Sequence, residues 1–97
     1  MATVYITEFR DVGRSGDVQA PEQPPYAEQT VAIGGASTQS SAFNSATRLI
    51  RVHADAICSI AIGENPTATT SKARFAAGQT EYFTVLPGHK LAVITNT

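Results

Sequence analysis

Arg51, His53 and Asp55 stand two residues apart in the run from Thr47 to Asp55. On a strand, alternate side chains leave by one face, so these three would come within reach of one another. Ser59 and His89 follow, and together they supply the side-chain types of a Ser/His/Asp relay. That chemistry also needs the serine on a sharp exposed turn beside oxyanion donors, and the Gly-x-Ser-x-Gly pattern that builds such a turn is absent. The plainer reading is a solvated strand face with one ion pair, and no residue is assigned a catalytic role.

The two histidines and the single cysteine are also the usual zinc ligand types. No His-x-His pair or other close spacing joins them, so no metal and no cofactor is expected. Cys58 lies in the most apolar segment and reads as a small buried hydrophobe. Gly34-Gly35 lacks the further glycines and the Lys-Ser or Lys-Thr pair of a phosphate loop; it reads as a turn or bulge needing positive backbone angles. Lys72 and Arg74 beside Phe75 either guard an edge strand or meet an acidic partner surface.

The chain that must position these groups has 97 residues, room for one domain over 1–97. Apolar residues make up 42% and charged residues 15%, against about 25% charged in an average soluble protein. A weakly charged exterior is expected to be covered by neighbours. A net charge of -1 with no basic block removes the usual drive toward nucleic acid or an anionic membrane. No apolar run approaches the ~20 residues of a membrane span, and the first residues lack the basic start and apolar core of a secretion signal. The expectation is a soluble chain made in the cytoplasm.

Strand signals dominate. Thr3 to Phe9 alternates Val4, Ile6 and Glu8 against Tyr5, Thr7 and Phe9. Residues 11–26, with two glycines and three prolines, have few apolar side chains to offset their ordering entropy and read as an extended loop or arm. Pro24-Pro25-Tyr26 favours an extended polyproline-like conformation with one aromatic anchor. Glu28 to Ile33 reads as a strand, and Ala36 to Asn44 as a weak edge strand or a loop. Thr47 to Asp55 places Ile50, Val52 and Ala54 on a core face. Ala56 to Ile62 is apolar on both faces, which suits a central strand covered on each side or covered by a neighbouring molecule. After the break at Gly63-Glu64-Asn65-Pro66, Thr67 to Phe75 leads to a turn at Ala76-Ala77-Gly78. Strands follow at Gln79 to Val85 and Lys90 to Thr95. Pro87-Gly88 matches the centre of a type II turn, which predicts a corner between sheets or a wide connection. The fold class is all-β: an antiparallel β-sandwich or jelly-roll-like small barrel with an extended Pro-rich N-terminal arm.

The stretch from Ala76 through Pro87-Gly88 to Ile94, preceded by Ile57 to Pro66, resembles the ending found in small virion proteins of tailed bacteriophages. The likeness covers about the last fifty residues, and its motifs are ones any sandwich uses. It implies a non-enzymatic homo-oligomer that decorates or cements a capsid by bridging the major capsid protein, located on the virion surface. A head-tail connector or tail component of the same virion is the alternative within this class. A cupin-like small-molecule barrel is the alternative outside it, with His53, Glu81 and His89 as the available pocket groups. Partner contacts are expected at Tyr5 and Phe9, at Pro24, Pro25 and Tyr26 in the arm, and at Arg74 and Phe75 near the basic edge. Tyr5 and Phe9 have core packing as the competing reading. The first strand and the arm would add to a neighbour's sheet.

Overall fold

The computed structural model describes residues 2–15, 18–21 and 23–97. Among them the ordered elements are all strands: β1 Thr3–Phe9, β2 Val12–Ser15, β3 Val18–Pro21, β4 Ala27–Ala32, β5 Thr38–Gln39, β6 Leu49–Ala54, β7 Cys58–Gly63, β8 Ala73–Phe75, β9 Thr80–Thr84 and β10 Lys90–Thr95. No helix there is long and apolar enough to cross a membrane.

Two antiparallel four-stranded sheets, ordered β4-β1-β6-β9 and β5-β10-β7-β8, share one core in a sandwich-like arrangement, and β2 and β3 pair as a separate ribbon. The first sheet is set by alternation in β1. Val4 pairs with Ala54 and Ile6 with Val52, all turned inward and at most 1% exposed. The second sheet meets them with Ile60, Leu91 and Val93. Burying each large aliphatic side chain stabilises the fold by about 1.5–3 kcal/mol, so this interlayer is the main source of stability.

The chain changes sheets between β4 and β5, β5 and β6, β6 and β7, β8 and β9, and β9 and β10. Two of these corners need glycine. Gly78 and Gly88 both hold φ at 80°, the left-handed region that side chains with a Cβ disfavour. His89 N donates to the Leu86 carbonyl at 3.2 Å, closing a turn with Pro87-Gly88 at its centre, and Gln79 N closes the other on the Ala76 carbonyl at 3.1 Å. The corner read from Pro87-Gly88 is therefore present. Gly34-Gly35 differs from expectation: the positive-φ glycines among the described residues are Gly78 and Gly88. The Gly34 carbonyl instead accepts a hydrogen bond from Thr95 N at 2.9 Å, so this stretch is anchored to the end of β10 without a left-handed residue.

The apolar character of both faces of β7 has an internal cause. Cys58 and Ile60 point into the core, while Ser59 and Ala92 point outward and are nonetheless fully buried. The loop 64–72 covers them. Gln39 Nε2 donates to the Pro66 carbonyl at 2.7 Å, Ala68 N donates to Ser37 Oγ at 2.9 Å, and Asn96 Nδ2 bridges Ser59 Oγ at 2.7 Å and the Thr70 carbonyl at 3.2 Å. No neighbouring molecule is needed over this face.

Within 11–26, the stretch read as an extended loop or arm, the ribbon places Val12 opposite Pro21 and Ser15 opposite Val18. Backbone pairing between the two strands supplies the order that apolar content does not.

Candidate interaction surface

The outer face of the first sheet is built differently from its roofed counterpart. Register places Thr30, Tyr5, His53 and Thr80 in one row across β4, β1, β6 and β9, and Glu28, Thr7, Arg51 and Tyr82 in the next. Tyr5 is 45% exposed and Tyr82 51%. Alternation forces this: with Val4, Ile6, Val52 and Phe83 turned inward, their neighbours must turn out.

His53 is held between its neighbours. Its Nδ1 lies 2.7 Å from Thr80 Oγ1, its Nε2 3.9 Å from Asp55 Oδ1, and its ring centroid 6.3 Å from that of Tyr5. The expected His–Asp pair is thus a solvated contact on a strand face. Ser59 belongs to the other sheet, is fully buried, and has its hydroxyl bonded by Asn96, so it does not join His53 and Asp55 in a relay. His89 lines a separate concavity with Arg48, Ile62 and Leu86, apart from His53 and Glu81, and the cupin-like set does not converge. No cluster of three metal-ligating side chains forms among the described residues. Cys58 is buried, and that desolvation pushes its thiol pKa up.

The proposed contact residues divide. Tyr5 is on the exposed face. At one end of that face the base of the ribbon folds back, leaving a concavity of about 520 Å³ lined by Thr7, Phe9, Pro21, Pro25, Arg51 and Tyr82 among others. Tyr26 is 37% exposed beside it, with the Arg10 guanidinium 5.2 Å above its ring, a cation–π contact that fixes the ring. Pro24 is exposed and Pro25 half-buried.

Burial revises two of these contact residues, and pairing revises the role of the first strand. Phe9 points to the outer face but is only 1% exposed, so its ring packs within this chain and is not offered to a partner. Phe75 is 2% exposed and packs in the core, 6.3 Å from Phe83 between ring centroids. Arg74 is exposed on β8, the edge of the second sheet, where its Nε donates to the Thr97 carbonyl at 3.3 Å; it lies apart from the tyrosine face. In addition, β1 is paired on both sides, by β4 and β6, so it has no free ladder to lend a neighbouring sheet.

Tyr82 was not singled out from the sequence, although its place between Thr80 and Thr84 on a wet strand face was the available signal. Glu8 was missed for a different reason. It is 2% exposed, and its Oε1 accepts from Asn44 N at 2.9 Å, Asn44 Nδ2 at 3.1 Å and Thr47 Oγ1 at 2.7 Å, while Oε2 accepts from Gln29 Nε2 at 3.2 Å. These donors satisfy the buried carboxylate and pin the chain between β5 and β6.

No protein family, curated protein or solved structure matches this chain.

Proposed function

We propose that this chain is a structural adhesion protein that decorates or cements the capsid of a tailed bacteriophage, bridging major capsid subunits at the virion surface. The observation that carries the reading is the asymmetry of the two outer faces. One is roofed by the chain's own loop 64–72, while the other presents Tyr5 and Tyr82 among threonines, with one Glu, one Arg and the His53–Asp55 contact. Tyrosine gives large contact area at low entropy cost with a polar tip, and a face with few charges carries a small desolvation penalty when covered.

The wiring supports a jelly-roll-like assignment, because the chain alternates between two four-stranded sheets rather than completing one before starting the other. Bridging draws its strength from repetition: modest contacts are multiplied when many copies occupy one shell. The connector or tail placement shares every one of these features and differs in copy number per particle.

The test is co-sedimentation of the purified protein with assembled shells, with bound mass measured. Saturable binding at many copies per shell supports decoration, a dozen or fewer places the protein at a connector or tail, and no binding removes the proposal.

A further inference from the structure

We propose that β9 is the edge through which two copies of this chain join their first sheets into one continuous sheet. β9 pairs with β6 on one side only. Val85 N donates to the Arg48 carbonyl at 2.9 Å, and Ala54 N donates to the Gln79 carbonyl at 3.1 Å. Residues 79, 81, 83 and 85 therefore turn their backbone groups toward β6, and antiparallel alternation turns those of Thr80, Tyr82 and Thr84 outward. Among the described residues no backbone hydrogen bond between elements engages these outward groups.

Two of the other sheet edges are short. β5 has two residues and β8 three, too short to template a partner. β4 has its own chain tied beside it through one side chain: Ser41 N donates to Gln29 Oε1 at 2.9 Å, and Gln29 Nε2 donates to the Ser41 carbonyl at 3.2 Å. Proteins blunt exposed edges by shortness, coverage, proline or inserted lysine. β9 has five residues and, among the described residues, carries no proline, lysine or cover; its one guarding device is the charge of Glu81, paired with Val52 on the inner side.

The occupant is a second β9, because the strand is close to a palindrome. A two-fold axis at Tyr82 sets Tyr82 opposite its own copy, Thr80 opposite Thr84, and Glu81 opposite Phe83. The strand's single charge thus meets an aromatic position and never its own equivalent. Such a self-complementary contact is what a closed two-fold dimer requires. The axis runs normal to the joined sheet, so both tyrosine faces look the same way. The pairing stands apart from shell binding, since it uses the backbone of an edge, and either can fail without the other.

Sedimentation equilibrium of the wild-type protein, Tyr82→Pro, Tyr82→Cys and Thr30→Cys tests this. Proline at position 82 removes an outward N–H while leaving the bonds to β6 in place, a substitution edge strands tolerate. The wild type is expected to dimerise, and Tyr82→Pro to weaken association by about tenfold or more. Under mild oxidation Tyr82→Cys is expected to form a covalent dimer, because the paired Cα atoms would lie about 5.5 Å apart, within disulfide reach. Thr30→Cys on β4 is expected to stay monomeric by the same assay, and the native thiol of Cys58 is buried and silent. A wild type that is monomeric throughout, a dimer indifferent to Tyr82→Pro, or cross-linking through Thr30→Cys rather than Tyr82→Cys overturns the proposal.

Discussion

Thr47 Oγ1 donates to Glu8 Oε1 at 2.7 Å across 39 positions of sequence, with both side chains buried. This bond ties the end of β1 to the turn that launches β6, and it makes the carboxylate a structural anchor inside the sandwich. Glu8→Ala removes the acceptor from Thr47, Asn44 and Gln29 together. Leaving buried donors unpaired is expected to cost about 2–3 kcal/mol, read as a shift in the urea midpoint at unchanged slope. Thr47→Val is expected to cost less, because Glu8 keeps its remaining donors.

Phe9 is covered on the outer face by the chain's own return. Phe9→Ala is expected to destabilise by about 3 kcal/mol or more, as for a buried aromatic. Thermal unfolding checks this; a change within a few tenths of a kcal/mol would mean the ring is a surface group after all.

The roof over the second sheet makes Ala92 a packed position although alternation turns it outward. Ala92→Leu is expected to destabilise by about 1–3 kcal/mol through overpacking against the loop 64–72. Hydrogen exchange should show loss of protection at Ala68 N first, since its bond to Ser37 belongs to that roof.

Gly88 and Gly34 separate conformational need from mere presence. Gly88→Ala places a Cβ at φ 80° and is expected to cost about 1–2 kcal/mol. Gly34→Ala meets open space without a positive φ and is expected to be neutral or slightly stabilising. Paired denaturation curves decide it.

Burial raises the Cys58 thiol above its ordinary pKa of 9.0. The thiol is therefore harder to deprotonate in the folded state than in the unfolded one, and the unfolded chain loses this proton first as pH rises. The thiol's contribution to stability is full below pH 9.0 and is lost as pH climbs toward the folded value. Cys58→Ala is expected to flatten the alkaline fall in stability, and a thiol reagent should label the wild type only on unfolding.

Tyr5→Ala and Tyr82→Ala probe the exposed face. Because both rings are about half exposed, stability is expected to change by less than about 1 kcal/mol, while shell binding weakens by about tenfold or more.

Period-two alternation was enough to place β1, β4, β6, β9 and β10, because one buried face constrains every second residue locally, while β7 was legible as a run apolar on both faces. Glycine and proline marked the corners at Gly78 and Gly88 for the same reason: a turn's angles are a property of adjacent residues. What alternation does not carry is which face meets which layer. Both faces of β7 read as covered, but only the fold shows that a loop of the same chain, and not a neighbouring molecule, lies over Ser59 and Ala92; Phe9 is buried by chain returning from the ribbon. Glu8 reads as an ordinary polar residue until residues 44 and 47 arrive with their donors. The free edge of β9 depends on strand order, which is decided by how the two sheets pack and not by any single segment. Local periodicity therefore settled the strands, while long-range contacts decided burial, coverage and which edge stays open.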